Sequence, residues 1–187
     1  MATLPALSLI ASPSKRQVLL DLAAQAERSG FAGLAVSGVA GNLALCGSLA
    51  HVTSKISFWT SIQPIYLSNP SEVAATAGHL NEVSNGRFRL GLGVSHAPTL
   101  DRIGLVAGKP LSDIRNYVAA IRAAQRSNEV MPPILLATLR DRMLDLAVRS
   151  PTARCGPTPR WPTHRPSWPA SQLSGAARCS WPRWCRP

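Results

Sequence analysis

The chain has 187 residues, enough for one good-sized domain and short for two. Hydrophobic residues make up 45% and charged residues 16%, so a core can form, and the formal net charge is +11. No apolar run reaches the ~18–20 residues of a membrane span, and Met1-Ala2-Thr3-Leu4-Pro5 lacks the basic region of a secretory signal.

Leu7 to Ile10 reads as a first strand. Ser14, with Gln17 three residues on, forms a capping-box pattern. Val18, Leu19, Leu22, Ala23 and Ala26 follow at helical spacing, and Gly30 stands where that helix stops. Gly33 to Val36 reads as a second strand and Asn42 to His51 as a second helix. Ile56 to Ile62, rich in β-branched and aromatic residues, reads as one strand. Asn69, Pro70 and Glu72 open a third helix with a cap, a proline in the first turn and an acid at the positive end of the dipole. It runs to about Val83 and ends before an Asn85-Gly86 turn. Phe88 to Leu92 is a fourth strand. Pro110 to Arg126 is a fourth helix, with Ile114, Tyr117, Val118 and Ile121 on one face. Ile134 to Ala137 is a fifth strand, and Thr138 with Asp141 starts a fifth helix whose pattern fails at Arg149.

Strands alternating with helices imply parallel strands and right-handed crossovers. Five such units in 148 residues is the pace of a TIM barrel, which needs eight units and ~250 residues. An open doubly wound sheet also tolerates five strands, and the pattern alone leaves both architectures open.

The charge is unevenly placed. Residues 1–148 hold 13 basic and all 9 acidic groups, whereas 149–187 hold seven Arg and no acid. The same tail holds four of the five Trp, three of the four Cys and half of the 16 Pro, so the chain divides near Val148 into two unlike sequences. The single head cysteine, Cys46, fits a reducing, cytoplasmic setting and reads as a small core residue. The tail cysteines 155, 179 and 185 lack zinc-site spacing, and we expect no metal. Gly91-Leu92-Gly93 lacks the third glycine of a dinucleotide fingerprint.

Three stretches resemble the luciferase-like flavin and deazaflavin oxidoreductases, and the branch that uses coenzyme F-420 in particular. They are AERSGFAGLAVSG (26–38), FWTSIQPIYLSNPSEVAATAGHLNEVSNGRFRLGLGVSHAP (58–98) and PPILLATLRDRMLDLA (132–147). The middle stretch is the most specific, with its order of strand, bulge, helix, Ser-Asn-Gly-Arg-Phe turn, strand and Gly-rich exit. The resemblance implies an incomplete TIM (β/α)8 barrel of about five β/α units, followed by an irregular tail. It places a non-proline cis peptide at Ser61-Ile62, under the middle ring of the cofactor. It also places Val94, Ser95 and His96 in a loop that contacts the cofactor, and Gln63 is a further candidate ligand by its polar side chain. Many deazaflavin-using relatives carry an Asp or a His pair just after the second strand, where this chain has Ser37-Gly38.

The resemblance implies hydride transfer between coenzyme F-420 and a small organic substrate. The cofactor performs that chemistry while the protein supplies position, electrostatics and water exclusion. His96 is the catalytic candidate, because an imidazole exchanges its proton near neutral pH. His51 and His79 lie in helical patterns and read as structural. The alternative within the fold is an FMN-dependent luciferase-like monooxygenase. Neither reading calls for a membrane or nucleic-acid partner, and homo-oligomerisation stays open.

The tail admits other readings. Arg with Trp and Pro suits a disordered nucleic-acid-binding arm, whose binding would be salt-sensitive. Base composition offers a simpler one. With GC-rich codons, Thr152 to Thr163 read one base earlier permits DGAVWANAALAH, and extension through Arg149-Ser150-Pro151 permits IADG or VADG. A helix ending Leu-Ala, then Ile-Ala-Asp-Gly and a hydrophobic strand, resembles the family pattern beyond the PPILLATLRDRMLDLA stretch. We therefore expect a frameshift near Val148, a truncated barrel, weak activity or none, and poor solubility.

Overall fold

The computed structural model describes residues 4–138, 141–149 and 153–155. In chain order the elements are β1 (Leu7–Ile10), α1 (Arg16–Arg28), β2 (Leu34–Ser37), α2 (Asn42–Val52), β3 (Phe58–Thr60) and β4 (Gln63–Pro64). A 3-10 turn (Ile65–Leu67) leads into α3 (Pro70–Val83), β5 (Phe88–Gly93), α4 (Ala97–Arg102) and α5 (Pro110–Ala124). β6 (Ile134–Leu136), α6 (Asp141–Arg149) and β7 (Ala153–Cys155) follow.

The strands lie in the order β1-β2-β3-β5-β6-β7, with β4 beside β5, and every pairing is parallel. The spatial order follows the chain without reversal. A doubly wound sheet reverses its strand order at a switch point, so the strand order separates the two architectures in favour of the barrel type. The helices adjoin in the same sequence, α1 against α2, α2 against α3, α3 against α5 and α5 against α6. That is the outer ring of a TIM-type fold, present in part.

Alternation along the strands sets the core. Leu9, Leu34, Val36, Phe58, Phe88 and Leu90 are buried, together with Ala23, Ala26, Leu49, Ala77, Ile114 and Ile121 from the helices. Each large side chain removed from water contributes about 1.5–3 kcal/mol. Phe58 and Phe88 stand opposite each other in the β3–β5 register, with ring centroids 5.7 Å apart, and the Arg87 guanidinium lies 5.4 Å from the Phe58 centroid. Cys46 is buried in this core, as expected, and burial pushes its thiol pKa up.

At the amino-terminal ends of the strands, one carboxylate organises a loop. Glu27 at the end of α1 accepts backbone N–H bonds from Ser54 (2.9 Å), Lys55 (2.6 Å) and Ile56 (2.8 Å). Partial desolvation acts to raise its pKa, but the bonds from Ile56, Lys55 and Ser54 outweigh it and hold the carboxyl below its ordinary value. Arg87 closes the same end by donating to Thr53 Oγ1 (2.8 Å) and to the carbonyls of Ala50 (2.9 Å) and Ile56 (3.3 Å). Such a network serves stability rather than chemistry, because the reactive end of this fold is the opposite one.

Four local expectations change. The Ser14 capping box does not form: Lys15 occupies the N-cap position, and Ser14 sits in a turn at φ 65°. The face of α1 is narrower than its pattern, with Ala23 and Ala26 buried while Val18 is 65% and Leu22 40% exposed. The stretch from Ile56 to Ile62 is not one strand, because it bulges after Thr60. Finally, Ala153–Cys155 pairs with β6 inside the tail expected to be irregular. Ladder bonds are main-chain bonds, so an open strand edge can recruit an extended segment whatever its side chains. The rest of the tail, with the nucleic-acid and frameshift readings, lies outside the described residues.

Candidate active site

The site is built around the bulge. β3 pairs with β5 in the register Phe58↔Phe88, and β4 resumes with Gln63↔Leu92, so one extra residue is accommodated between them. The Ser61-Ile62 peptide within the bulge is cis, at the place the family resemblance implies. Ser61 N–H reaches the Val36 carbonyl at 2.6 Å, tying the bulge to β2.

The two glycines that gave a weak dinucleotide signal have a different use. A Cβ at Gly91 would overlap the Thr60 carbonyl oxygen. A Cβ at Gly93 would meet the Ile62 side chain at 3.0 Å. The Gly-Leu-Gly spacing thus clears one face of β5 for the bulge. Thr60 fastens the arrangement, donating through Oγ1 to the Gly91 carbonyl (2.7 Å) and accepting from the Gly91 N–H (2.9 Å).

A cavity of about 1190 Å³ opens beside the bulge. Its walls come from the carboxyl ends of successive strands: Gly38 and Val39 after β2, Ser61 and Ile62 after β3, Gly93 to Ala97 after β5, and Ala137 after β6. The start of α5 and the first turn of α6 complete it, with Lys109, Leu111, Ser112, Arg142 and Met143. Of the six residues singled out from the sequence, five meet there: Ser61, Ile62, Val94, Ser95 and His96. Gln63 does not line the cavity; its amide donates to Ser68 Oγ at 2.7 Å.

Ser95 adopts a left-handed backbone (φ 60°), uncommon for a residue with a side chain and typical of sites where geometry is imposed. His96 follows at the N-cap of α4, where its carbonyl accepts from Thr99 (2.9 Å) and Leu100 (3.1 Å). The imidazole itself is exposed and makes no hydrogen bond among the described residues. His51 and His79 are on α2 and α3, away from the cavity lining.

Sequence reasoning missed several members. Among the described residues, Lys109 and Arg142 are the charged side chains of the lining, and no carboxylate is among them. Asn42 was read only as the start of a helix, yet its amide is fully buried and donates at 2.9 Å to both the Gly38 and the Ile62 carbonyls. Tyr66 donates to Asp113 Oδ2 at 2.7 Å and so braces the start of α5. Burial, and then Asp113, push the Tyr66 hydroxyl up to about 12. A Cβ at Gly108 would overlap the Asp113 carboxylate that Tyr66 holds. A polar residue at a helix start and a Gly-Lys-Pro entry were the available signals, and neither is specific.

Residues 6–150 match the family model described as luciferase-like monooxygenase. The chain belongs to this family. Among curated proteins, a 5,10-methylenetetrahydromethanopterin reductase of Methanolobus tindarius is 38% identical over 74 residues, which are 40% of this chain and 23% of that protein. The solved coenzyme F-420-dependent tetrahydromethanopterin reductase from Methanopyrus kandleri superposes with a TM-score of 0.65 at 18% identity, over 79% of this chain and 53% of that one. An F-420-dependent secondary alcohol dehydrogenase in complex with an F-420-acetone adduct gives 0.66 at 18% identity, over 79% and 56%. The oxygenating constituent of 3,6-diketocamphane monooxygenase from Pseudomonas putida, in complex with FMN, gives 0.60 at 14%, over 72% and 52%. These likenesses bear on the fold, which is the TIM-barrel type. The chain spans about half the length of these solved structures. Among the described residues, no helix is long and apolar enough to cross a membrane, and no three His, Cys, Asp or Glu side chains cluster.

Proposed function

We propose that this chain carries the deazaflavin-binding part of a luciferase-like oxidoreductase that transfers hydride between coenzyme F-420 and a small organic substrate. The supporting observation is the bulge at Ser61-Ile62, seated on a glycine-cleared face of β5 and forming one wall of a strand-end cavity. The residues present suit a flat ring with an anionic tail. Ile62, Val94 and Met143 offer apolar surface for a ring, and Lys109 with Arg142 offers positive charge, with no carboxylate among the described lining residues. Bound there, a deazaflavin supplies two-electron hydride chemistry that the side chains themselves do not.

The protein's part is positional. The Ser61-Ile62 bulge would support the ring, while Val94 and Ser95 would bound its far edge. His96, at the mouth of the cavity, would hold or release a proton at an imidazole nitrogen as substrate changes redox state. Gly38 presents no side chain for such a task, and His96 is the imidazole among the described lining residues.

FMN is the competing cofactor, favoured by the fold match to an FMN complex. Parallel absorption titrations with coenzyme F-420 and FMN decide between them. We expect a saturable band shift with the deazaflavin and a weaker one with FMN. Tighter FMN binding would transfer the reading to the monooxygenase side of the family, and binding of neither would remove the oxidoreductase reading for this chain. Nucleic-acid binding through the tail is not part of the proposal. A salt-sensitive complex with DNA or RNA that disappears on deleting 149–187 would count against it.

A further inference from the structure

Asn42 makes a contact that the cavity's outline does not require. Its side chain is fully buried, at 0% exposure, and its Nδ2 spans two carbonyls, Gly38 O after β2 and Ile62 O in the bulge, each at 2.9 Å. Two acceptors on one side fix the orientation of the amide, leaving Oδ1 on the other. That oxygen is buried and has no hydrogen-bond partner among the described residues. A buried amide oxygen without a partner is unfavourable, so its retention calls for a reason.

Gly38 supplies the complementary fact. Its backbone is not left-handed, so conformational freedom does not demand glycine there. Space does: a Cβ at Gly38 would lie 2.8 Å from Asn42 Oδ1. The amide therefore fills the place a side chain at position 38 would occupy, and the two residues form one unit.

We infer that Asn42 is the positioning residue of the site, clamping the β2 exit to the Ile62 carbonyl and so fixing the bulge, and that Gly38 is glycine to admit it. A side chain at position 38 is thereby exchanged for a backbone clamp, and Gly38 and Val39 are left as a smooth, uncharged stretch of cavity wall. Substrate is then met at that wall by shape and apolar contact rather than by an ionised group. The functional consequence rests on the deazaflavin reading above; the clamp itself does not.

The test uses the full chain in four forms: wild type, Asn42→Leu, Gly38→Ala and the double variant Gly38→Ala with Asn42→Ala. Leu49→Ala serves as the control, since Leu49 is buried on the same helix and does not line the cavity. Two readouts are taken below the melting temperature of every variant: absorption titration with coenzyme F-420, and amide hydrogen exchange of the segment 60–64. Asn42→Leu is expected to weaken cofactor binding about tenfold, the scale of one lost hydrogen bond, and to speed exchange in 60–64. Leu49→Ala is expected to lower the melting temperature while leaving both readouts as in wild type. Gly38→Ala should resemble Asn42→Leu, and the alanine at 38 should add little once position 42 is also alanine. Equal behaviour of Asn42→Leu and Leu49→Ala in both readouts would overturn the inference. So would an undiminished cost of Gly38→Ala in the Asn42→Ala background. If wild type binds no cofactor, the proposed function fails, while the exchange data still decide whether the clamp exists.

Discussion

Single residues carry much of the explanation, and Glu27 is the clearest case. Its carboxylate accepts three consecutive backbone N–H groups, which hold its pKa below the ordinary 4.5. A depressed carboxyl contributes stability that is fully present above the unfolded pKa and lost as pH falls through the folded one. Glu27→Gln should therefore lower the melting temperature at neutral pH, with a cost of about 1 kcal/mol for a partly exposed site. The gap between variant and wild type should narrow on acidification below about pH 4. A gap that stays constant with pH would show that the charge on Glu27 is not what matters. Gly91 is a second case. Gly91→Ala places a methyl group against the Thr60 carbonyl, and overpacking of that kind costs roughly 1–3 kcal/mol, readable by denaturant unfolding. Neither role was visible in the sequence. A Glu late in a helix has no local signature for accepting N–H groups 27 to 29 residues away, and Gly-Leu-Gly, which lacks the third glycine of a dinucleotide fingerprint, gives no local sign of the strand it makes room for.

Elements were more legible than residues, and the reason is periodicity. The α5 face of Ile114, Tyr117, Val118 and Ile121 is buried as its spacing predicted, and Asn69 caps α3 by accepting from Ser71 N–H at 2.8 Å. Ile121→Ala should cost about 2–5 kcal/mol, the range for emptying a buried aliphatic site, with an unchanged denaturant slope. Periodicity fails where tertiary contacts decide. It could not divide the third strand, because the break is imposed by the bulge against β5. It missed α4, a six-residue helix too short for a pattern. It overextended the apolar face of α1, where Ala23 and Ala26 are buried and Leu19 packs against the core at partial burial, while Val18 and Leu22 stay exposed. The wall formed by 108–112 depends on the Tyr66–Asp113 bond between distant elements. Tyr66→Phe should loosen that wall and cost about 1 kcal/mol, with faster amide exchange confined to the entry of α5. Uniform exchange across the chain would mean the hydroxyl has no such local role.

At the scale of the molecule, the strand order settles what composition could not. The head, with its near-balanced charge, forms the parallel β/α part of a TIM-type fold, and its strand ends converge on one cavity. The net charge of +11 divides unequally along the sequence, and among the described residues the charged side chains lining the cavity are Lys109 and Arg142. The fold, the family and the bulge were all legible in the middle stretch, because its glycines, turn and capped helix follow one another in fixed order. The clamp and the cationic wall were not, since they arise only when separate strand exits meet. The central claim is that the bulge and its glycine cradle form a deazaflavin site. It is tested by titrating the full chain and its Gly93→Ala variant with coenzyme F-420 while tracking the cofactor's absorption band. We expect weak, saturable binding to the wild type, stronger than that of FMN, and its loss in the variant, where the new methyl group displaces Ile62. No saturable change with wild type, or equal binding by the variant, would contradict the assignment of this cavity as the cofactor site.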